Sequence, residues 1–145
     1  MADVLEELTA DTLTRAQVER RIDDWTRRIA DLYDRIDAWL PEGWRSVRDR
    51  RTRLFEEPMR EVGLPPHTLP ILDLMTGDTL AATVEPRSLW IVGANGRLEF
   101  RRGSVNHLLL DRSAIFEPPE WFVVPISDRN RAVPLDRAAV ISLLR

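Results

Sequence analysis

The stretch Thr14–Leu40, TRAQVERRIDDWTRRIADLYDRIDAWL, decides the first part of the fold. Its apolar residues recur in alternating steps of four and three, and it contains neither proline nor glycine. This spacing predicts one long helix with a narrow apolar seam, the pattern that coiled coils bury between chains. The seam consists of Val18, Ile22, Trp25, Ile29, Leu32, Ile36 and Trp39. Because such a seam needs a cover, we expect these residues to bind a partner, either a second copy of the chain or a larger protein.

Signals at both ends of this helix are also present. Thr14 followed by Gln17 matches a capping box at the start, and Pro41 and Gly43 interrupt the pattern at the end. A second helical pattern covers residues 44–57, so the break is either a kink in one rod or the turn of a helical hairpin. A short opening helix is predicted from three apolar residues, Val4, Leu5 and Leu8.

Beyond the helical part, the chain has the pattern of short strands. All ten prolines and all six glycines lie at or beyond Pro41, and the prolines of residues 64–70 predict an extended linker. Asn95-Gly96 between two apolar runs predicts a hairpin turn. Strands are predicted at residues 71–75, 79–85, 88–93, 97–102, 105–111 and 121–126, and a last helix at 134–144.

These elements predict an α+β protein. A long N-terminal helix, as a coiled coil or a helical hairpin, is followed by a small antiparallel β barrel or roll that a C-terminal helix closes. The change in pattern divides the chain into a helical region, residues 1–63, and a β-module, residues 64–145.

Composition narrows the chemistry that is expected. The chain has a net charge of -3, no cysteine, and only His67 and His107 as histidines, so we predict neither a metal nor a cofactor. The acidic start lacks the pattern of a secretory signal, and no apolar run approaches the about 20 residues of a membrane span. We therefore expect a cytoplasmic protein. All 21 basic residues are arginine, which is typical of a GC-rich genome and favours a bacterial source.

One combination of residues resembles a catalytic triad, namely Ser104, His107 and Asp111. All three fall on one predicted strand, where His107 and Asp111 would stand about 13 Å apart at about 3.3 Å per residue. That separation exceeds hydrogen-bond reach, so we expect a protein that is not an enzyme.

The segment Phe116–Trp121 places two prolines between two aromatic residues. It is either a rigid loop that presents its aromatic side chains to a partner or a loop that folds them onto its own β-module. The second interpretation is favoured, because aromatic side chains bury a large area.

The expected function is a non-catalytic protein-interaction module, a small subunit or adaptor that oligomerises or docks through its N-terminal helix. The alternative is a nucleic-acid-binding or regulatory protein, because Arg45, Arg48 and Arg51 lie close together in the sequence and could contact phosphates. A small hydrolytic enzyme is the third alternative.

Overall fold

The computed structural model describes residues 13–145, which form one long helix, two antiparallel sheets and two short helices. The elements are α1 (Arg15–Trp39), β1 (Trp44–Val47), β2 (Arg51–Leu54), α2 (Glu57–Glu61), β3 (His67–Pro70), β4 (Leu72–Thr76), β5 (Thr79–Ile91), β6 (Ala94–Arg102), β7 (Val105–Asp111), β8 (Trp121–Pro125), β9 (Val133–Pro134) and α3 (Arg137–Leu143). The predicted α+β class is confirmed. The opening helix predicted from Val4, Leu5 and Leu8 lies outside the described residues.

The larger sheet has seven strands in the order β1-β4-β5-β6-β7-β8-β9, and every neighbouring pair is antiparallel. Since β1 and β9 each have one neighbour, the strands of the described region form an open sheet and no closed barrel. The remaining strands, β2 and β3, pair with each other as a separate two-stranded ribbon.

The helix α1 begins at the predicted cap. The backbone N–H of Gln17 donates to the Thr14 hydroxyl at 3.1 Å, and the Thr14 N–H donates to the Gln17 side chain at 2.8 Å. Both halves of the capping box are therefore present. At the other end, Leu40 has an extended backbone, so the helix stops before Pro41 as predicted.

The seam of α1 is covered by the chain's own sheets. Six of its seven residues are at most 6% exposed, and Trp39 is half-buried. They share one core with sheet residues such as Val84 and Leu98. Arg28 and Tyr33 are buried beside the seam, so the buried stripe is wider than the seam of a coiled coil. A second chain is not required to cover it.

The helix predicted for residues 44–57 is wrong. Trp44–Val47 pairs with β4, and Arg51–Leu54 pairs with β3. The break at Pro41 is consequently a turn, with Gly43 at a φ of +88°, and it leads into a strand. Pairing with strands further along the chain, β4 for β1 and β3 for β2, has overridden the local helical pattern. The short α2 begins only at Glu57, the last residue of the predicted helix.

The proposed division at residue 64 runs through both sheets. β1 and β2 lie before it, and their partners β4 and β3 lie after it. The predicted linker is extended, but His67–Pro70 serves as β3. The buried core likewise includes Leu54 and Met59 from one side and Leu69 and Leu72 from the other.

The β5–β6 hairpin differs from its predicted form in two respects. β5 runs through Pro86 as one strand, with a register shift between Pro86 and Ser88 where a bulge accommodates the proline. The turn lies at residues 92–93, and Asn95-Gly96 belongs to β6. Gly96 has a φ of +99°, and a Cβ there would lie 2.2 Å from Nε1 of Trp25. Glycine is needed at this position because the indole ring of α1 packs on the backbone.

Candidate partner-binding cleft

A cleft of about 470 Å³, called here the main cleft, opens where three segments meet. Arg21 comes from α1, Val92 and Asn95 from the β5–β6 hairpin, and Arg112 and Ile115 from the connection between β7 and β8. No aspartate or glutamate of the described chain lines it. Residues that are distant in sequence thus form one concave surface with basic and apolar character.

The β7–β8 connection, residues 112–120, is anchored by a buried carboxylate. Asp111 at the end of β7 is 0% exposed, and its Oδ2 accepts a hydrogen bond from Nη1 of Arg28 at 2.8 Å. Its Oδ1 accepts from the backbone N–H groups of Ser113 at 3.0 Å and Glu120 at 2.9 Å. One side chain therefore holds both ends of the connection.

Arg28 ties the same connection to α1. Its Nε donates to Asp24 at 2.6 Å, and its Nη1 also donates to the Ser113 hydroxyl at 3.0 Å. Its Nη2 donates to the backbone carbonyl of Glu117. Hydrogen bonds between charged groups are short and strong when they are shielded from water. The Arg28–Asp111 pair therefore fixes the position of the connection on the helix.

The tip of this connection exposes large apolar side chains. Ile115 is 49% exposed and lines the main cleft together with the fully exposed Val92. Phe116 is 46% exposed and has a φ of +67°, and the guanidinium of Arg20 lies 4.6 Å from its ring centroid. Trp121, in contrast, is buried in the core. Of the two aromatic residues of the segment, one is thus presented outward and one is folded inward.

Hydrogen-bond donors dominate the polar groups of the main cleft. Nη2 of Arg21 donates to Oδ1 of Asn95 at 3.0 Å, which orients the Asn95 amide, because a guanidinium has no acceptor. Nδ2 of Asn95, Nε of Arg21 and Nε1 of Trp90 are buried and have no acceptor among residues 13–145. Burial lowers the pKa of Arg21, chiefly through lost hydration of its guanidinium. Asp24 and Glu56 are close enough to act on the charge of Arg21, but no carboxylate of the described residues lines the site, and its unpaired polar atoms are all donors.

A smaller cleft of about 260 Å³ adjoins the same turn, and is called here the arginine cleft. Arg97, Arg112 and Arg129 line it together with apolar residues such as Leu110, and no carboxylate of the described chain does so. Arg112 belongs to both clefts, and its guanidinium lies 5.0 Å from the ring centroid of Phe122. The positive character of the main cleft therefore extends around the turn.

The residues predicted to bind partners lie elsewhere. The seven seam residues lie at the interface of α1 with the sheets, so binding through them would require α1 to leave the sheets. Arg48 donates to Asp34 at 2.7 Å, and Arg45 donates to the carbonyl of Gly77 at 3.2 Å. Arg51 is exposed on β2. Two of the three arginines predicted to contact nucleic acid are thus engaged within the chain.

The three residues that resembled a triad are not assembled as one. Asp111 binds Arg28 and two backbone amides, whereas Nδ1 of His107 is buried without a partner. Ser104 is exposed in the turn before β7.

The residues of the main cleft were missed by sequence reasoning. In the sequence, Arg21 is one of several arginines beside the seam, and nothing distinguishes it from them. Arg112 and Ile115 lie in a connection that contains no recognisable motif. The only local signal was the unusual segment Phe116–Trp121, which adjoins the cleft.

Within residues 13–145, no helix combines the length and apolarity needed to cross a membrane, and no three acidic or histidine side chains are grouped to hold a metal ion. Comparison with models of known protein families, with curated proteins and with solved structures finds no match for this chain. Its function has to be inferred from the geometry of its surface.

Proposed function

We propose that the protein is a non-catalytic protein-interaction module, a small subunit or adaptor that docks on a partner through the main cleft. The observation that carries this proposal is the exposure of Val92 and Ile115 in one basic cleft, with Phe116 exposed next to Ile115 in the chain. Isolated apolar side chains are common on protein surfaces, but a group of them beside arginines is typical of interaction sites.

The rigidity of the site supports the same function. Ile115 and Phe116 lie on a connection whose ends are fixed by Asp111 and whose middle is bonded to Arg28. A surface that is ordered before binding loses little conformational entropy when the partner docks. The backbone of Phe116 is left-handed, and this conformation costs about 1–3 kcal/mol. It persists only where surrounding contacts enforce it.

The contact surface in this proposal differs from the helix seam. Exposing the six buried seam side chains would cost about 9–18 kcal/mol, at about 1.5–3 kcal/mol for each. The total stability of a domain is about 5–15 kcal/mol. Exposing the seam would therefore cost about as much free energy as the whole fold provides, whereas docking at the main cleft requires no such change.

The test compares two matched charge variants of the tagged protein in its native host. Ile115→Asp alters the main cleft, and Leu80→Asp alters an equally exposed residue at the start of β5, both side chains being 49% exposed. We expect a stoichiometric protein partner to co-purify with the unmodified chain and with Leu80→Asp, and to be lost from Ile115→Asp. Circular dichroism and thermal unfolding should show that both variants are folded.

The alternative function predicts another outcome. Four arginines surround the β5–β6 turn, namely Arg21, Arg97, Arg112 and Arg129. If the purified chain carries nucleic acid in place of a protein, and if a substitution at Arg97 removes it, the nucleic-acid-binding alternative replaces the proposed one. Equal loss of a protein partner from both aspartate variants would also contradict docking at the main cleft.

A further inference from the structure

We propose that the main cleft recognises a carboxylate carried by an apolar segment of the partner. Arg21 and Arg112 bind the carboxylate oxygens, and Val92 and Ile115 contact the adjoining hydrocarbon. This inference rests on the proposed function and names the chemical class of the partner group that the cleft selects.

The distribution of charge supports a negatively charged ligand. The chain contains 24 acidic and 21 basic residues. Nine arginines form an ion pair with a carboxylate of the described residues, as Arg48 does with Asp34 and Arg50 with Asp73. Arg21 and Arg112 form no ion pair with a carboxylate of the described residues. An outside carboxylate would complete at this cleft the pairing that occurs within the chain elsewhere.

The unpaired donors are a second, independent observation. Asn95 is only 4% exposed, yet its Nδ2 has no acceptor in the part of the chain that the structure describes, and the buried Nε1 of Trp90 also has none there. Buried donors in folded proteins nearly always have a partner. A carboxylate has acceptors and no donors, so it complements a cleft whose unpaired polar atoms all donate. It also restores the electrostatic stabilisation that Arg21 loses by burial.

The walls of the main cleft distinguish a carboxylate on an apolar segment from a phosphate. They are formed by apolar residues, which are Ile91, Val92, Ala94, Ala114 and Ile115. A phosphate backbone is polar along its length and would leave these walls in contact with charged oxygens. The hydrocarbon beside a peptide carboxylate can instead be buried against them.

The experiment uses three small probes with the full chain. These are 3-phenylpropionate, its neutral amide 3-phenylpropionamide, and inorganic phosphate. The indole N–H signals are followed by NMR, and the Trp90 signal is assigned with Trp90→Phe. We expect 3-phenylpropionate to shift this signal with a Kd of about 1 mM, as its size allows, and the amide to bind at least about tenfold more weakly.

Two variants and one control test the residues. Arg112→Gln removes an exposed guanidinium, and we expect it to weaken 3-phenylpropionate binding about tenfold. Arg21→Gln should have the same effect. If Arg21→Gln fails to fold, the effect of Arg112→Gln on 3-phenylpropionate binding tests the inference alone. Arg51→Gln changes an exposed arginine of β2 and should leave the affinity unchanged. Equal binding of acid and amide, tighter binding of phosphate, or no effect of Arg112→Gln would overturn the inference.

The inference and the proposed function fail separately. If 3-phenylpropionate depends on Arg112 but the protein complex is insensitive to Ile115→Asp, the carboxylate site stands and the docking function does not. If the complex depends on Ile115 but neither arginine affects 3-phenylpropionate, the docking function stands without the carboxylate site.

Discussion

Replacing Asp111 by asparagine tests whether the Arg28–Asp111 pair holds the fold and the site together. The side chain keeps its shape but loses its charge and one acceptor oxygen. In the native chain it accepts hydrogen bonds from Arg28, Ser113 and Glu120. The asparagine amide turns its NH2 group towards at least one of these donors, which is then left buried without an acceptor.

The expected destabilisation is about 3 kcal/mol. Removal of one partner from a buried ion pair costs about 3–5 kcal/mol, because the other charge remains buried. Asp24, whose Oδ2 lies 2.6 Å from Nε of Arg28, still compensates part of that charge, so we place the value at the lower end. For a chain of this length, the unfolding midpoint should fall by about 10 °C.

Urea unfolding followed by circular dichroism measures this effect, with two comparisons. Asp24→Asn removes the more exposed partner of Arg28 and should cost less than half as much. The double variant Arg28→Met/Asp111→Asn should recover part of the loss, because the charge of Arg28 is no longer left buried and the asparagine oxygen can still accept from Ser113 and Glu120. A cost below about 1 kcal/mol for Asp111→Asn, or losses in the double variant equal to the sum of those in Arg28→Met and Asp111→Asn, would refute the role assigned to the pair.

Four further outcomes are expected. Gly96→Ala should cost about 3 kcal/mol or more in urea unfolding, because its Cβ would lie 2.2 Å from an indole nitrogen, whereas Gly103→Ala, with open space around it, should cost only its backbone strain. Ile29→Asp should unfold the monomer, as seen by circular dichroism and light scattering; a folded chain of lower mass would indicate dissociation of an oligomer instead. A fragment of residues 64–145 lacks two paired strands and α1, so its amide spectrum should be poorly dispersed; a dispersed spectrum would support an independent β-module. Burial lowers the pKa of His107 below 6.5. The stability that its neutral form contributes is therefore present above pH 6.5 and is lost as pH falls through the folded pKa. NMR titration checks the pKa, and His107→Gln should reduce the pH dependence of the free energy of unfolding.

The long helix could be predicted because its signals are local. Thr14, Gln17 and Pro41 fix its two ends, and the apolar steps fix its buried face. The periodicity indicates that a face is buried but not what buries it. Arg28 and Tyr33 are buried beside the seam, as expected of a helix that lies on a sheet. Neither residue belongs to the four-three spacing of apolar residues that defines the seam.

Elements that depend on distant partners could not be predicted. β1 and β2 have four residues each, and their pairing is with strands that follow much later. The Asn95-Gly96 signal correctly indicated a hairpin, but the turn lies at residues 92–93, and Gly96 belongs to β6, where Trp25 packs on the backbone. The main cleft likewise combines three segments, and no local motif describes their meeting.

The special position of Arg21 becomes clear by comparison with the two arginines that follow it at seven-residue intervals along α1. Arg35 pairs with the aspartate four residues before it at 2.9 Å, and Arg28 pairs in the same way with Asp24 and also reaches Asp111. The residue four before Arg21 is Gln17, whose side chain is used by the helix cap. Arg21 therefore has no carboxylate four residues before it on α1. The β5–β6 hairpin supplies the amide oxygen of Asn95 as its acceptor. Two of these three positions therefore bind a carboxylate within the described residues; at the third, beside exposed apolar side chains, the proposed ligand is a carboxylate from a partner.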